Sequence, residues 1–203
     1  VFMLAAPFSG EPTTLIDLDK RYSGVDWGRD DVAIVNSRWF NDRSEARYLV
    51  DPSQPGQGRV LVERNYQDRY NDPGSPLVEP NEQGRSVMQF VDGGDAILLE
   101  GAGATRQGSF PFLAKQNLES GEIERLWGSA SGEYETIVGL LDPEGRRLVT
   151  RRETRLDPPN LQIRDVASNS LTPLTNFPDP APQLANVSRE LIAYERADGV
   201  QLS

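Results

Sequence analysis

The chain has 203 residues, 37% of them hydrophobic, which is enough for a sizeable core in one large domain or two small ones. Its formal net charge is −10, and no apolar run approaches the ~20 residues that span a bilayer, so neither nucleic acid nor membrane is expected as a partner. Cys and His are both absent. That excludes a disulfide framework, a thiolate site and the usual general base of a hydrolytic triad, and neither a cofactor nor a metal is expected.

Gly and Pro number 18 and 15 and are spread evenly, with no window carrying a clean helical period. The opening "VFMLAAP" lacks a basic flank and reads as a strand rather than the tail of a signal peptide. Short β-branched or aromatic runs separated by turn residues then follow one another: "TTLIDL", "AIVNSRWF", "ARYLVD", "RVLVER", "SVMQF", "AILLE", "IERLW", "TIVGLL", "RLVTR" and "LQIRDV". The pattern predicts an all-β chain.

Two landmarks recur in step. The first is a strand, a Gly- or Asp-containing turn and a second strand: "VDWGRDDVAIV" (25–35), "MQFVDGGDAILL" (88–99) and "VGLLDPEGRRLV" (138–149). Its anchors, Trp27, Phe90 and Leu140, lie 63 and then 50 residues apart and are expected to be core between sheets. The second landmark is "YLVDPSQPGQGRVLV" (48–62), "FLAKQNLESGEIERLW" (112–127) and "LQIRDVASNSLTPLT" (161–175), whose later strands, near Val60, Ile123 and Leu171, step by 63 and 48. Such a repeat with four short strands per unit marks a β-propeller blade. The predicted architecture is a partial β-propeller of about three to four four-stranded antiparallel blades. Residues 1–18 read as the end of a preceding blade, 19–64 as a blade, 65–85 as an inserted loop, 86–130 and 131–178 as two further blades, and 179–203 as an exit strand and linker. Propellers close with about four to eight blades. The chain is therefore expected to be a segment of a longer protein, with open blade edges favouring self-association.

Residues 151–203 resemble the last propeller blade and exit strand of prolyl oligopeptidase family serine peptidases, and are most similar to the glutamyl endopeptidase branch. The resemblance is carried by "DPPNL" (157–161), "LTNFPDP" (174–180) and "ADGVQLS" (197–203). "APFSGEP" (6–12), "GVDWG" (24–28), "DPGSP" (72–76) and "GAGA" (101–104) extend it over nearly the whole chain. It implies a C-terminal α/β-hydrolase domain, absent from these residues, that would carry Ser, Asp and His and be the propeller's partner. Peptides are the implied substrates, and cytoplasmic and exported homes are both compatible. The implied role of the segment is to cap the active site and gate short peptides. The competing reading is a stand-alone propeller acting as a scaffold or ligand-binding module.

No catalytic residue is expected in the chain itself. In "GSASG" (128–132) Ala130 takes the position that a nucleophile elbow reserves for Ser, so the stretch reads as a turn. "GAGATRQG" (101–108) carries Arg106 in place of the third Gly of a phosphate loop and reads as a blade loop. Asp68, Asn71 and Asp72 gather oxygen atoms, but without the alternating spacing of a calcium loop. The candidates for substrate contact or interdomain docking are Arg151, Arg152 and Glu153. They follow a predicted strand, and Arg pairs bidentately with carboxylates. Against this stands a solvated pair bridged to Glu153.

Overall fold

A computed structural model describes residues 1–184, 187 and 190–202. Ala185, Asn186, Ser188, Arg189 and Ser203, which belong to the expected exit segment, lie outside the described residues. Among the described residues the chain has no α-helix, only strands and two short 3-10 turns, Asp92–Gly94 and Pro182–Leu184.

A short pair, β1 (Phe2–Met3) and β2 (Thr13–Thr14), precedes the first full sheet. That sheet is an antiparallel meander of β3 (Arg21–Arg29), β4 (Val32–Trp39), β5 (Ser44–Val50) and β6 (Gly58–Asn65). Next come β7 (Ser75–Pro76), β8 (Val78–Pro80), β9 (Ser86–Met88), β10 (Phe90–Val91) and β11 (Ala96–Gly101). The small hairpin β12 (Ala104–Thr105) and β13 (Gly108–Ser109) leads to β14 (Phe112–Asn117) and β15 (Ile123–Gly128). The third sheet is a second four-stranded meander of β16 (Glu133–Leu140), β17 (Arg147–Thr154), β18 (Asn160–Asp165) and β19 (Leu171–Pro173). A hairpin of β20 (Tyr194–Glu195) and β21 (Gln201–Leu202) turns at Asp198 and Gly199 near the end of the chain.

Residues 65–85, expected as an inserted loop, are mostly turns and connections but include β7 and β8. The middle sheet runs β10-β11-β14-β15, and β7 pairs with the far end of β11 on the same side as β10. The first strand of this sheet is thus built from two pieces, and the hairpin β8–β9 is an excursion between them. Its two roots are tied together by Leu77 N donating to Leu98 O, Gln89 N to Leu77 O and Leu98 N to Gln89 O, at 2.8, 3.0 and 2.9 Å.

The three sheets stack face to face, and strand alternation explains how. In β11, Ile97 and Leu99 point to one side and join Val32, Ile34, Met88, Phe112 and Ala114 in a core between the first and second sheets. Ala96 and Leu98 point to the other side and join Leu77, Val91, Leu113, Trp127 and Leu148 between the second and third. Each fully buried Leu contributes about 1.5–3 kcal/mol. The outer face of the first sheet, with Ala33, Val35 and Val50, is covered by Leu15 and Ile16 beside the short β1–β2 pair. Successive four-stranded sheets packed in this way form a partial β-propeller.

Of the three expected anchors, Phe90 packs on the first core and Leu140 on the second. Trp27 does not follow them, since it is 43% exposed. It pairs with Ala33 and so shares the outer face of the first sheet, where the two-residue strands β1 and β2 give little cover. Its neighbour Gly28 holds the tighter place: a Cβ there would stand 2.6 Å from Phe90 Cζ and 2.9 Å from Val32 O.

Candidate functional site

The turns Asp30–Asp31, Asp92–Asp95 and Leu141–Arg146 close one end of the sheets, whereas the connections 66–74, 102–111 and 155–159 lie at the other. At this second end the apolar layer between the first two sheets gives way to a polar one. Glu45, 8% exposed, accepts from Arg38 Nη2 at 2.9 Å and from Arg64 Nε at 2.7 Å. Arg64 also reaches Asp72 Oδ2 at 3.0 Å and the Asp68 carbonyl at 2.7 Å. Asn36 donates to Asp26 at 2.9 Å, and Arg47 donates to the Gly74 carbonyl at 2.6 Å. Gly74 is required there, because its φ is +90° and a Cβ would lie 2.5 Å from Glu100 O.

Asp26, Asn36, Arg38, Glu45 and Arg47 border a cleft of about 300 Å³ that also touches Ser75 and Pro76. Burial works against the Glu45 carboxylate, yet hydrogen bonds from Arg38 and Arg64 outweigh it and hold its pKa below the usual value. Burial likewise lowers the Arg47 pKa, opposed by attraction to Glu45 and Asp72. On the other side of β7 a second cleft, about 320 Å³, is bordered by Glu100, Pro111, Tyr134 and Thr136. Glu100 has no ion-pair partner among the described residues, and partial burial pushes its pKa up.

Arg151, Arg152 and Glu153 lie in the last part of β17, at the same end. Arg152 Nε is 2.5 Å from Glu133 Oε2, and Arg151 Nη2 is 3.5 Å from Glu153 Oε2. Alternation sends Arg151 and Arg152 to opposite faces of the third sheet, so they do not converge on one carboxylate. Asp68 spends its carboxylate on the turn, accepting from Tyr70 N, Asn71 N and Asn71 Nδ2 at 3.2, 3.2 and 2.7 Å, while Asp72 turns to Arg64. No group of three or more metal-ligating side chains converges among the described residues.

A second ionic centre escapes notice in the sequence. Glu135, fully buried, accepts from Thr150 Oγ1 at 2.6 Å and from Arg164 Nε and Nη2 at 3.1 and 2.5 Å. Arg164 Nη1 completes the set on the carbonyl and side-chain oxygens of Asn169, both at 2.7 Å, and the guanidinium lies 5.6 Å from the Trp127 ring. Asn169 has φ +57°, a left-handed conformation that Asn tolerates. The available signal was the period of two in "YETIV", which puts Glu135 on the face of Ile137.

No family model matches the chain. It is 35% identical over 219 residues to a protein of Arabidopsis thaliana named "Probable glutamyl endopeptidase, chloroplastic", and 34% identical over 213 residues to one of the same name from Oryza sativa subsp. japonica. These alignments cover 100% and 98% of this chain, which spans only 23% of the length of either relative. Among solved structures, TolB from Acinetobacter baumannii overlaps 86% of this chain, which covers 37% of that one, at 17% identity and a TM-score of 0.46, a likeness too loose to weigh on fold or function. Over its whole length the chain is thus similar to a segment of proteins named glutamyl endopeptidase, and that segment folds as a partial β-propeller.

Proposed function

We propose that this chain is the non-catalytic propeller portion of a serine peptidase, where it caps the active site of an α/β-hydrolase domain and admits short, flexible peptides. The observation that carries the reading is the alignment of the whole chain with 23% of relatives named glutamyl endopeptidase, together with the lack of any His in its 203 residues. Acyl transfer by a Ser nucleophile needs a positioned base and an oxyanion hole, and both would come from elsewhere in the protein. In this reading Arg151, Arg152 and Glu153 contact substrate or dock the hydrolase domain. Sequencing the reading frame beyond Ser203 tests it, with G-x-S-x-G, then Asp, then His expected in that order. The full-length protein should cleave peptides after acidic residues. A frame lacking the three groups, or robust peptidase activity in the 203-residue chain by itself, would contradict the proposal.

A further inference from the structure

The hairpin β8–β9 leaves the first strand of the middle sheet at Leu77 and returns at Gln89. Three observations say where it goes. β9 packs against β3, the first strand of the first sheet. Glu79, on β8, accepts a 2.8 Å hydrogen bond from Leu140 N on β16, the first strand of the third sheet. Met88 and Leu77, at its roots, are 2% and 3% exposed and sit in the two inter-sheet cores. The hairpin therefore touches the first strand of every full sheet described.

In a propeller, strands that converge on one another across blades line the central channel. Here β9 lies on β3 and Glu79 reaches β16, so the hairpin spans from the first strand of the first sheet to that of the third. It is also a formed element. Asn81 N donates to Arg85 O and Asn81 O accepts from Gly84 N, both at 2.8 Å, its side chain accepts from Gln83 N and Arg85 N at 3.0 and 2.9 Å, and Gly84 takes φ +72°. The tip, residues 82–85, is exposed. β16 is an edge strand, and the Glu79 carboxylate meets an edge amide that the sheet leaves unpaired.

We infer that the β8–β9 hairpin is a strap across the axial passage, latched to the third sheet by Glu79, and that it sets the size of peptide able to pass along the axis. The size role rests on the peptidase reading above; the latch does not. The test uses the full-length protein in two variants: Glu79→Ala, and a shortened form with residues 79–87 replaced by a Gly-Gly turn so that Leu77 and Gln89 keep their ladder. Amide hydrogen exchange at Leu140 should rise about tenfold or more in Glu79→Ala, as expected for loss of a charge-assisted hydrogen bond. The ratio of kcat/KM for a long unstructured peptide to that for a short one with the same cleavage site should rise severalfold in the shortened form, with the short peptide little changed. If the shortened chain does not fold, Glu79→Ala carries the length ratio as well. Unchanged exchange at Leu140 overturns the latch, and an unchanged length ratio in a folded variant overturns the size role. Cleavage of neither peptide by the unmodified protein removes the peptidase reading and the size role together, while the exchange result still decides the latch.

Discussion

The two inter-sheet junctions solve the same problem in different ways. Between the second and third sheets, Glu135 and Arg164 are sealed: their side chains are 0% and 4% exposed, and both carboxylate oxygens are taken. Between the first and second, Glu45 and Arg64 also form a tight pair, but Arg38, whose side chain is 53% exposed, opens the cluster to a cleft that Arg47 borders. A sealed pair cannot exchange partners without leaving a charge stranded, so it ties β16, β17 and β18 of the third sheet together where Arg164 faces Trp127 of the second. An open one can trade protein contacts for water or ligand. Rigid and adaptable regions thus sit on opposite sides of one sheet.

The sealed centre should be the costlier to break. Glu135→Ala leaves a buried guanidinium uncompensated and should cost about 3–5 kcal/mol in a denaturant melt of the full-length protein. The joint replacement of Glu135 and Arg164 by Leu and Met should recover most of that loss, since a buried pair replaced by apolar groups is often neutral. A Glu135→Ala protein as stable as the parent would erase the distinction.

The packing of the first junction gives the next effect. Gly28→Val pushes a branched side chain into Phe90 and Met88 and should cost about 1–3 kcal/mol by overpacking, seen as a lower melting temperature.

The open centre should respond to pH rather than collapse. Because the folded pKa of Glu45 lies below its ordinary 4.5, the folded state gives up this proton more readily than the unfolded one. The resulting stabilisation is complete above the unfolded pKa and is lost as pH falls through the folded value. A stability-against-pH curve should therefore lose its acid limb in part with Glu45→Gln, which at neutral pH costs about 1–3 kcal/mol through weakened bonds to Arg38 and Arg64. An identical acid limb in the variant would show that Glu45 does not carry it.

The smallest stability effect belongs to Arg152→Ala. Its pair with Glu133 is part exposed and is worth at most about 1 kcal/mol, so the melt should barely move. Its effect belongs in kinetics, as a raised KM for acidic peptides in the full-length protein. Unchanged kinetics would leave Arg152 a scaffold residue.

Much of this fold was legible because a meander repeats local chemistry. Strand, turn and strand recur with their anchors in step, and Phe90 and Leu140 fall in cores as alternation predicts. What escaped was set by distance in the chain. The first strand of the middle sheet is assembled from β7 and β10 around an inserted hairpin, and no local pattern announces that Pro76 and Phe90 border the same strand. Trp27 misled because an aromatic in an alternating run says which face it takes but not how well that face is covered. Glu135 meets Arg164 across 29 residues, through register in β16, β17 and β18. Arg151 and Arg152 could be placed at a strand end, but their opposite facing follows from pairing.

The central claim is that four-stranded sheets stack around an axis with their first strands innermost and the β8–β9 hairpin lying across them. An experimentally determined structure of the full-length protein tests it most directly. The prediction is that β3, the β7–β10 strand and β16 line a common central channel, with Glu79 on the Leu140 amide. A sandwich in which the first and third sheets close on each other, or a channel lined by β6, β15 and β19, would contradict it.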